Sequence, residues 1–195
     1  MKQNTLVFAT HNRHKTDEVR ALLAGLYEVK NLHDIGCTED IPETAATFSG
    51  NAGLKSGYVA AHYGLDCFAD DSGLEVDALQ GAPGVYSARY AGGGGDAANL
   101  ALLLQRMEGQ ENRKARFKTV ISLIRNGERF IFEGIVNGHI RTALSGSGGF
   151  GYDPVFEPEG YRQTFAEMTM EQKNSISHRA VAMRRLIAFL KEQAV

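Results

Sequence analysis

The sequence predicts an α/β protein built on a mixed β-sheet, and three observations carry that reading. The chain opens as a short apolar strand, an amphipathic helix and a second strand. Its middle holds two segments rich in β-branched and aromatic residues, joined by Asn-Gly-Glu, a hairpin signal. Its end is a helix with one apolar stripe. Strands and helices alternate early while a β-meander sits in the middle, which argues against a purely doubly wound parallel sheet.

Taken in order, residues 5–9 (TLVFA) form the first strand; polar residues return too soon for the apolar core of a secretory signal. Val19, Leu22, Leu23 and Leu26 then fall at i, i+3, i+4 and i+7, one face of a helix. Residues 27–32 return as a strand, and a loop with Pro42 leads to a second helix over residues 48–63. Residues 67–69 and 74–79 read as two short strands around an Asp-Asp-Ser-Gly turn. A long loop follows, GAPGVYSARYAGGGGDAAN, whose run of four glycines reads as a flexible connection. Asp96 is placed as the N-cap of a helix through Met107, with Leu100, Leu103 and Leu104 on one side. Residues 116–125 and 129–136 are the hairpin strands, and 139–144 a third strand completing the meander. A glycine-rich loop and a short helix near Glu171 lead to the last helix, capped by Ser177, with Met183, Leu186, Ile187 and Leu190 as its stripe.

Bulk properties narrow the function. With 43% hydrophobic and 23% charged residues, 195 residues are enough for a substantial core, which excludes disorder, collagen-like repeats and coiled coil. A net charge of -2 gives no global electrostatic reason to bind a nucleic-acid polymer or an anionic membrane. No apolar run approaches the ~20 residues that span a bilayer. Cys37 and Cys67 lie far apart, without a CxxC or a histidine at ligand spacing, and read as reduced thiols of a cytoplasmic protein.

Five constellations bear chemistry. At a strand-to-helix junction, ATHNRHK (residues 9–15) offers backbone N–H groups, Thr10, Asn12 and Lys15 to a phosphate, or simply caps a helix. Glu43 precedes a helix on which Asn51 and Lys55 are i, i+4 neighbours; Lys55 either snorkels to water or faces an anion. In CFADDSGLEV (residues 67–76), strand alternation points Asp70 and Asp71 to opposite faces without saying which does chemistry. SGSGGFGYDP (residues 145–154) leaves Phe150 on an open loop, to stack on a base or plug the local core. Lys173, Ser177, His178 and Arg179 crowd the start of the last helix, where positive charge opposes the macrodipole and calls for a compensating anion or carbonyl. Together they supply lysines for phosphates, carboxylates for Mg²⁺, an aromatic for a base and a His-Arg donor pair, the inventory of a nucleoside triphosphate enzyme.

FATHNRHKTDEV, FADDSGLEVDALQGAPGVYSARYAG, GSGGFGYDPVF and MTMEQKNSISHR resemble, in the same order and over essentially the whole chain, the inosine/xanthosine triphosphatase family of purine nucleoside triphosphate pyrophosphatases. The resemblance implies one domain over residues 1–195, with a long, curved mixed sheet flanked by helices in two lobes, a cleft between them, and a homodimer. It implies that Thr10, Asn12, Lys15 and Lys55 hold the triphosphate of a small-molecule nucleotide. Glu43 and Asp71 would hold Mg²⁺, Asp71 also taking the proton of the attacking water, and Ser72 would position the substrate. Phe150 would stack on the base beside Gly151, Tyr152 and Asp153. Lys173, His178 and Arg179 would read the base and sugar, favouring a purine with a 6-oxo group. One departure stands out: the family carries glycine between its Thr and Asn, and this chain has His11. Glycine permits positive φ and close backbone approach to an anion; His11 narrows that approach or adds a donor to it.

Overall fold

The computed structural model describes residues 4–193. Five α-helices and six strands follow one another along the chain among these residues. They are β1 (Asn4–Phe8), α1 (Arg13–Leu22), β2 (Tyr27–Asn31), α2 (Phe48–Tyr63), β3 (Cys67–Val76), α3 (Gly95–Arg106), β4 (Lys114–Arg125), β5 (Glu128–Ile140), β6 (Phe156–Pro158), α4 (Met170–Ile176) and α5 (His178–Glu192). The strands form one sheet in the order β2-β1-β3-β4-β5-β6. β1 pairs parallel with both β2 and β3, whereas β5 and β6 are antiparallel, so the sheet is mixed as the sequence predicts. The chain forms two compact units. Unit 1 comprises Met1–Asp71, Val120–Glu133 and Ala182–Val195; unit 2 comprises Ser72–Thr119 and Gly134–Val181.

Unit 1 is built on the β1-α1-β2 start. Phe8 and Phe68 stack with centroids 4.4 Å apart, and Leu6, Leu23, Ile121, Leu186 and Leu190 close the core around them. On another face, Val7, Ala9, Leu32, Cys37, Val59, Cys67 and Ala69 pack together, with Val59 delivered by α2. The core of unit 2 joins Leu74 and Val76 of β3 to Leu103, Met107, Phe117, Ile140, Tyr152, Phe156 and Phe165. Both cysteines are free and buried. No helix among the described residues is long and apolar enough to cross a membrane.

Several expectations are corrected. α1 stops at Leu22, which is 54% exposed, and only Val19 and Leu23 of the anticipated stripe are fully buried. The Asp-Asp-Ser-Gly segment is not a turn: β3 runs through it without a break. Turn chemistry is overridden because apolar side chains on both flanks, Cys67 to Ala69 and Leu74 with Val76, are all buried and hold the backbone extended. Asp96 is not the N-cap of α3. Gly94 takes that place with φ 83°, and Asp96 lies inside the first turn. The third meander strand over residues 139–144 does not form; β5 continues to Ile140 and pairs with β6 instead. Gly138 lies within β5 and marks a close approach. A Cβ there would sit 2.3 Å from the Glu157 carbonyl oxygen of β6. The Asn126-Gly127 hairpin forms as expected, both residues at positive φ (51° and 79°), the type I′ signature.

Candidate functional site

In unit 1, polar side chains gather where β1 runs out into α1, beside the middle of β3 and the first turns of α2. The Asn12 side chain caps α1 by accepting from the Lys15 N–H at 3.1 Å, and the Thr10 hydroxyl accepts from the Asn12 N–H at 3.1 Å. This ladder fixes the first turn of α1, so that Lys15 points its ammonium at Asp70, 3.2 and 3.0 Å from the two carboxylate oxygens. Asp70 is only 5% exposed. Strand alternation holds for its neighbour: Asp71 turns the other way and accepts from Asn51 Nδ2 at 3.0 Å. Asn51 is fully buried, and its Oδ1 accepts from the Ala45 N–H at 2.9 Å, which settles the orientation of the amide. One turn along α2, Lys55 pairs with Glu43 and donates to the Asp70 carbonyl oxygen at 2.7 Å. Asn51 and Lys55, at i and i+4, thus bring Asp71 and Glu43 to one stripe of α2.

His11 keeps an ordinary backbone, since among the described residues only Gln80 and Asn126 are non-glycines at positive φ. Its Nε2 lies 3.1 Å from the Glu39 carbonyl oxygen and its ring 4.7 Å from that of His33. The chain therefore needs no glycine at this position, and the imidazole ties the Thr10–Asn12 loop to the loop leading to Glu43.

Unit 2 carries the second cluster. Phe150 stands 62% exposed on its glycine-rich loop, so it stacks on nothing in the local core. Its N–H donates to the Asp153 carboxylate at 2.9 Å, and the Gly151 N–H donates to Asp96 at 2.7 Å. Asp153 is 2% exposed and forms a buried ion pair with Lys173, whose ammonium lies 4.6 Å from the Phe150 ring centroid. The expectation that Lys173 crowds the start of the last helix is corrected: it lies in the last turn of α4, where positive charge suits the macrodipole, and Asp153 neutralises it there. Lys173 is held there by α4, whose start is locked by a Thr169–Gln172 capping box. Tyr152 is buried and donates to the Ser87 carbonyl oxygen at 2.8 Å; burial pushes its phenol above the ordinary tyrosine range. Ser177 ends α4 and also accepts from the Ala180 N–H at 3.3 Å, so it caps α5 as expected. Beside it, the His178 ring stacks parallel on Phe117 at 4.7 Å, which fixes its plane, and Arg179 follows in the first turn. The Ser72 hydroxyl meets that of Thr119 at 2.8 Å.

The residues singled out from sequence thus fall into a lysine–carboxylate cluster in unit 1 (Thr10, Asn12, Lys15, Glu43, Lys55, Asp71) and an aromatic–cation cluster in unit 2 (Phe150, Gly151, Tyr152, Asp153, Lys173, His178, Arg179), with Ser72 in unit 2 as well. Sequence reasoning missed what Asp70, Asn51 and Asp96 do. The Asp96–Gly151 and Asp70–Lys15 contacts join positions 55 residues apart, which no spacing rule reaches. Among the described residues no three His, Cys, Asp or Glu side chains gather as a metal-holding group. A hard cation held by one or two carboxylates and completed by phosphate and water oxygens needs no such group, and Glu43 with Asp71 supplies the donors it would take.

A model of the Ham1 family matches residues 6–189. The dITP/XTP pyrophosphatase of Porphyromonas gingivalis is 55% identical over 187 residues, covering 95% of this chain and 96% of that protein. The dITP/XTP pyrophosphatase of Flavobacterium johnsoniae is 52% identical over 186 residues, covering 95% of this chain and 97% of its own. Among solved structures, the Staphylococcus aureus Ham1 protein superposes with a TM-score of 0.94 at 40% identity, covering 97% of this chain and 100% of that one. A HAM1 protein from Coxiella burnetii gives 0.93 at 36% identity, covering 97% and 100%.

Proposed function

Because the chain belongs to the Ham1 family, we propose that it hydrolyses non-standard purine nucleoside triphosphates (ITP, dITP and XTP) to the monophosphate and pyrophosphate. It is a nucleoside triphosphate pyrophosphohydrolase, working as one domain over residues 1–195, as a homodimer, in the cytoplasm. The observation that carries this reading is the lysine–carboxylate cluster of unit 1, where the ammonium groups of Lys15 on α1 and Lys55 on α2 meet three carboxylates, Asp70 and Asp71 of β3 and Glu43 of the loop before α2. Cations in that number suit a triphosphate, and carboxylates beside them suit a divalent ion and a water.

In this reading Thr10, Asn12, Lys15 and Lys55 hold the triphosphate, and Ser72 positions it. Glu43 and Asp71 would hold Mg²⁺, which when bound neutralises charge on the phosphate oxygens. A water oxygen bonds to the α-phosphorus, the bond from that phosphorus to the bridging oxygen breaks, and pyrophosphate departs with the electron pair. The water's proton passes to the Asp71 carboxylate. Asn51, itself fixed by the Ala45 N–H, holds that carboxylate in one orientation, so its lone pairs need no reorganisation as the proton arrives.

Base selection falls to unit 2. Exposed Phe150 offers a face for stacking, and the cation over its ring strengthens the surface. His178 and Arg179 supply donors that match a 6-oxo group. A 6-amino group would set donor against donor and leave polar groups unpaired, which disfavours ATP. The test is a Mg²⁺-dependent assay over ITP, dITP, XTP, dGTP and ATP that separates pyrophosphate from orthophosphate. Pyrophosphate release with the first three substrates is expected; orthophosphate as the first product overturns the cleavage position.

A further inference from the structure

Alternation along β3 leaves Asp70 facing away from Asp71, and its surroundings show a separate task. Its carboxylate is 5% exposed, and both oxygens are engaged by Lys15, at 3.2 and 3.0 Å. The main-chain carbonyl of the same residue accepts from Lys55 at 2.7 Å. One residue therefore touches both lysines that the proposed function assigns to the triphosphate, one through its side chain and the other through its backbone.

Donor arithmetic shows what this arrangement does. An ammonium carries three N–H donors. Lys15 faces both Asp70 oxygens and Lys55 donates to Glu43 and to the Asp70 carbonyl, and these contacts leave each ammonium at least one N–H to aim elsewhere. A lysine side chain is a flexible four-carbon stem. With Lys15 held by Asp70 and Lys55 held by Glu43 and the Asp70 carbonyl, the direction of the remaining N–H is constrained before any anion arrives. Complete transfer of Lys15 to a phosphate would give up an ion pair to a carboxylate only 5% exposed, which is costly in a low-dielectric site. The lysine instead binds an anion with its remaining donor while keeping its grip on Asp70.

We infer that Asp70 is a positioning residue, anchoring Lys15 through its carboxylate and Lys55 through its carbonyl so that both present a donor to the substrate phosphates. The inference rests on the reading of those lysines as phosphate-holding groups. It separates two adjacent aspartates by role: Asp71 acts on water, and Asp70 acts through the lysines.

The test uses the full chain as wild type, Asp70→Asn, Lys15→Ala and the double variant. Calorimetric titration with inorganic tripolyphosphate in metal-free buffer reads the lysines without a base and without turnover. Asp70→Asn should weaken tripolyphosphate about tenfold, the low end of what one charge-assisted hydrogen bond is worth. Adding Asp70→Asn to Lys15→Ala should cost little more, because the first change acts through the second. With dITP and Mg²⁺, Asp70→Asn should raise KM more than it lowers kcat. Unchanged or tighter tripolyphosphate binding, full additivity in the double variant, or a collapse of kcat at constant KM each overturns the inference. If Asp70→Asn loses its cooperative thermal transition, side-chain ammonium NMR on wild type decides. Slowly exchanging Lys15 protons before and after tripolyphosphate support the anchor, and fast exchange in the free protein refutes it. Wild-type turnover keeps the two readings apart. Intact tripolyphosphate coupling without dITP hydrolysis retires the pyrophosphatase and leaves the anchor standing, whereas hydrolysis without coupling does the reverse.

Discussion

Gly149→Ala is the substitution through which the base-side cluster can be weighed most directly. Gly149 takes φ +74°, and a Cβ built on it would lie 2.1 Å from Asp153 Oδ2 and 2.8 Å from its Cγ. Two costs follow. An alanine held in the left-handed region loses about 1–2 kcal/mol. The clash then drives the Asp153 carboxylate away from its donors. Asp153 is 2% exposed, and the same oxygen that would be struck accepts from the Phe150 N–H and pairs with Lys173. Each such bond to a charged group is worth about 1.5–3 kcal/mol, and a displaced carboxylate finds no water to replace them. Relaxation of the glycine-rich loop recovers part of this, so the net loss is roughly 3–5 kcal/mol, in the range of other disruptions of buried polar networks. For a chain of this size that corresponds to a Tm lower by roughly 10 °C. Differential scanning calorimetry measures it, with Gly160→Ala as the control. Gly160 has φ +85° and nothing within 4 Å of its Cβ, so that variant carries the backbone strain alone. KM for dITP should rise in Gly149→Ala, since Phe150 and Lys173 lose their shared anchor. A Tm no lower than that of the Gly160→Ala control, with KM unchanged, would refute the account of Asp153 as the centre of this cluster.

The remaining predictions probe separate groups. Asp71→Asn should keep the fold and dITP binding while turnover falls by about 10²–10⁴, the usual loss on removing a general base; near-normal turnover in a coupled pyrophosphate assay sinks that role. Phe150→Ala should leave the Tm within about 1 °C, because a ring 62% exposed contributes little to the core, yet raise KM for dITP by roughly 10–100-fold if it stacks on the base. Hydrogen bonds from the Ser145 hydroxyl, and then from the Thr164 N–H, hold the Glu167 carboxyl below its ordinary value of 4.5. A carboxylate lowered on folding lends stability that is fully present above pH 4.5 and is lost as pH falls through the lower folded value. Melting curves of wild type and Glu167→Gln should therefore converge as pH drops below that range and stay separated above it; parallel curves throughout would remove Glu167 from the acid response.

Much of the fold was legible because it is local. Val19 with Leu23, the Asn126-Gly127 turn and the Met183–Leu186–Leu190 stripe each follow from periodicity or turn chemistry within a few residues, and each is where the pattern puts it. The failures share a cause: a local rule lost to a neighbour distant in the chain. Residues 139–144 read as a separate strand until β5 is seen to run on to Ile140 and pair with β6. Asp96 reads as a cap until the Gly151 N–H, 55 residues away, is found to claim its carboxylate. Lys173 reads as crowding the start of the last helix until it is seen in the last turn of α4, paired with the buried Asp153.

The Asp-Asp-Ser-Gly segment shows why such failures concentrate in one place. Its composition favours a turn, and a turn there would have turned both carboxylates loose at the surface. The structure instead runs an extended strand through it, with the boundary between the two compact units falling between Asp71 and Ser72. Extension is what assigns the partners. With a period of two, Asp70 goes to Lys15 and Asp71 to Asn51, on opposite faces, and Ser72 goes to Thr119. Residues that prefer turns are tolerated in this strand because each polar side chain meets a partner from another element, and the burial of Cys67 to Ala69 and of Leu74 keeps the backbone straight while they do so. The conflict between local preference and observed conformation is therefore itself the mark of the site, and a slip of the register by one residue would put Asp71 before the lysine and Ser72 before the amide, or Ala69 and Asp70 in those places.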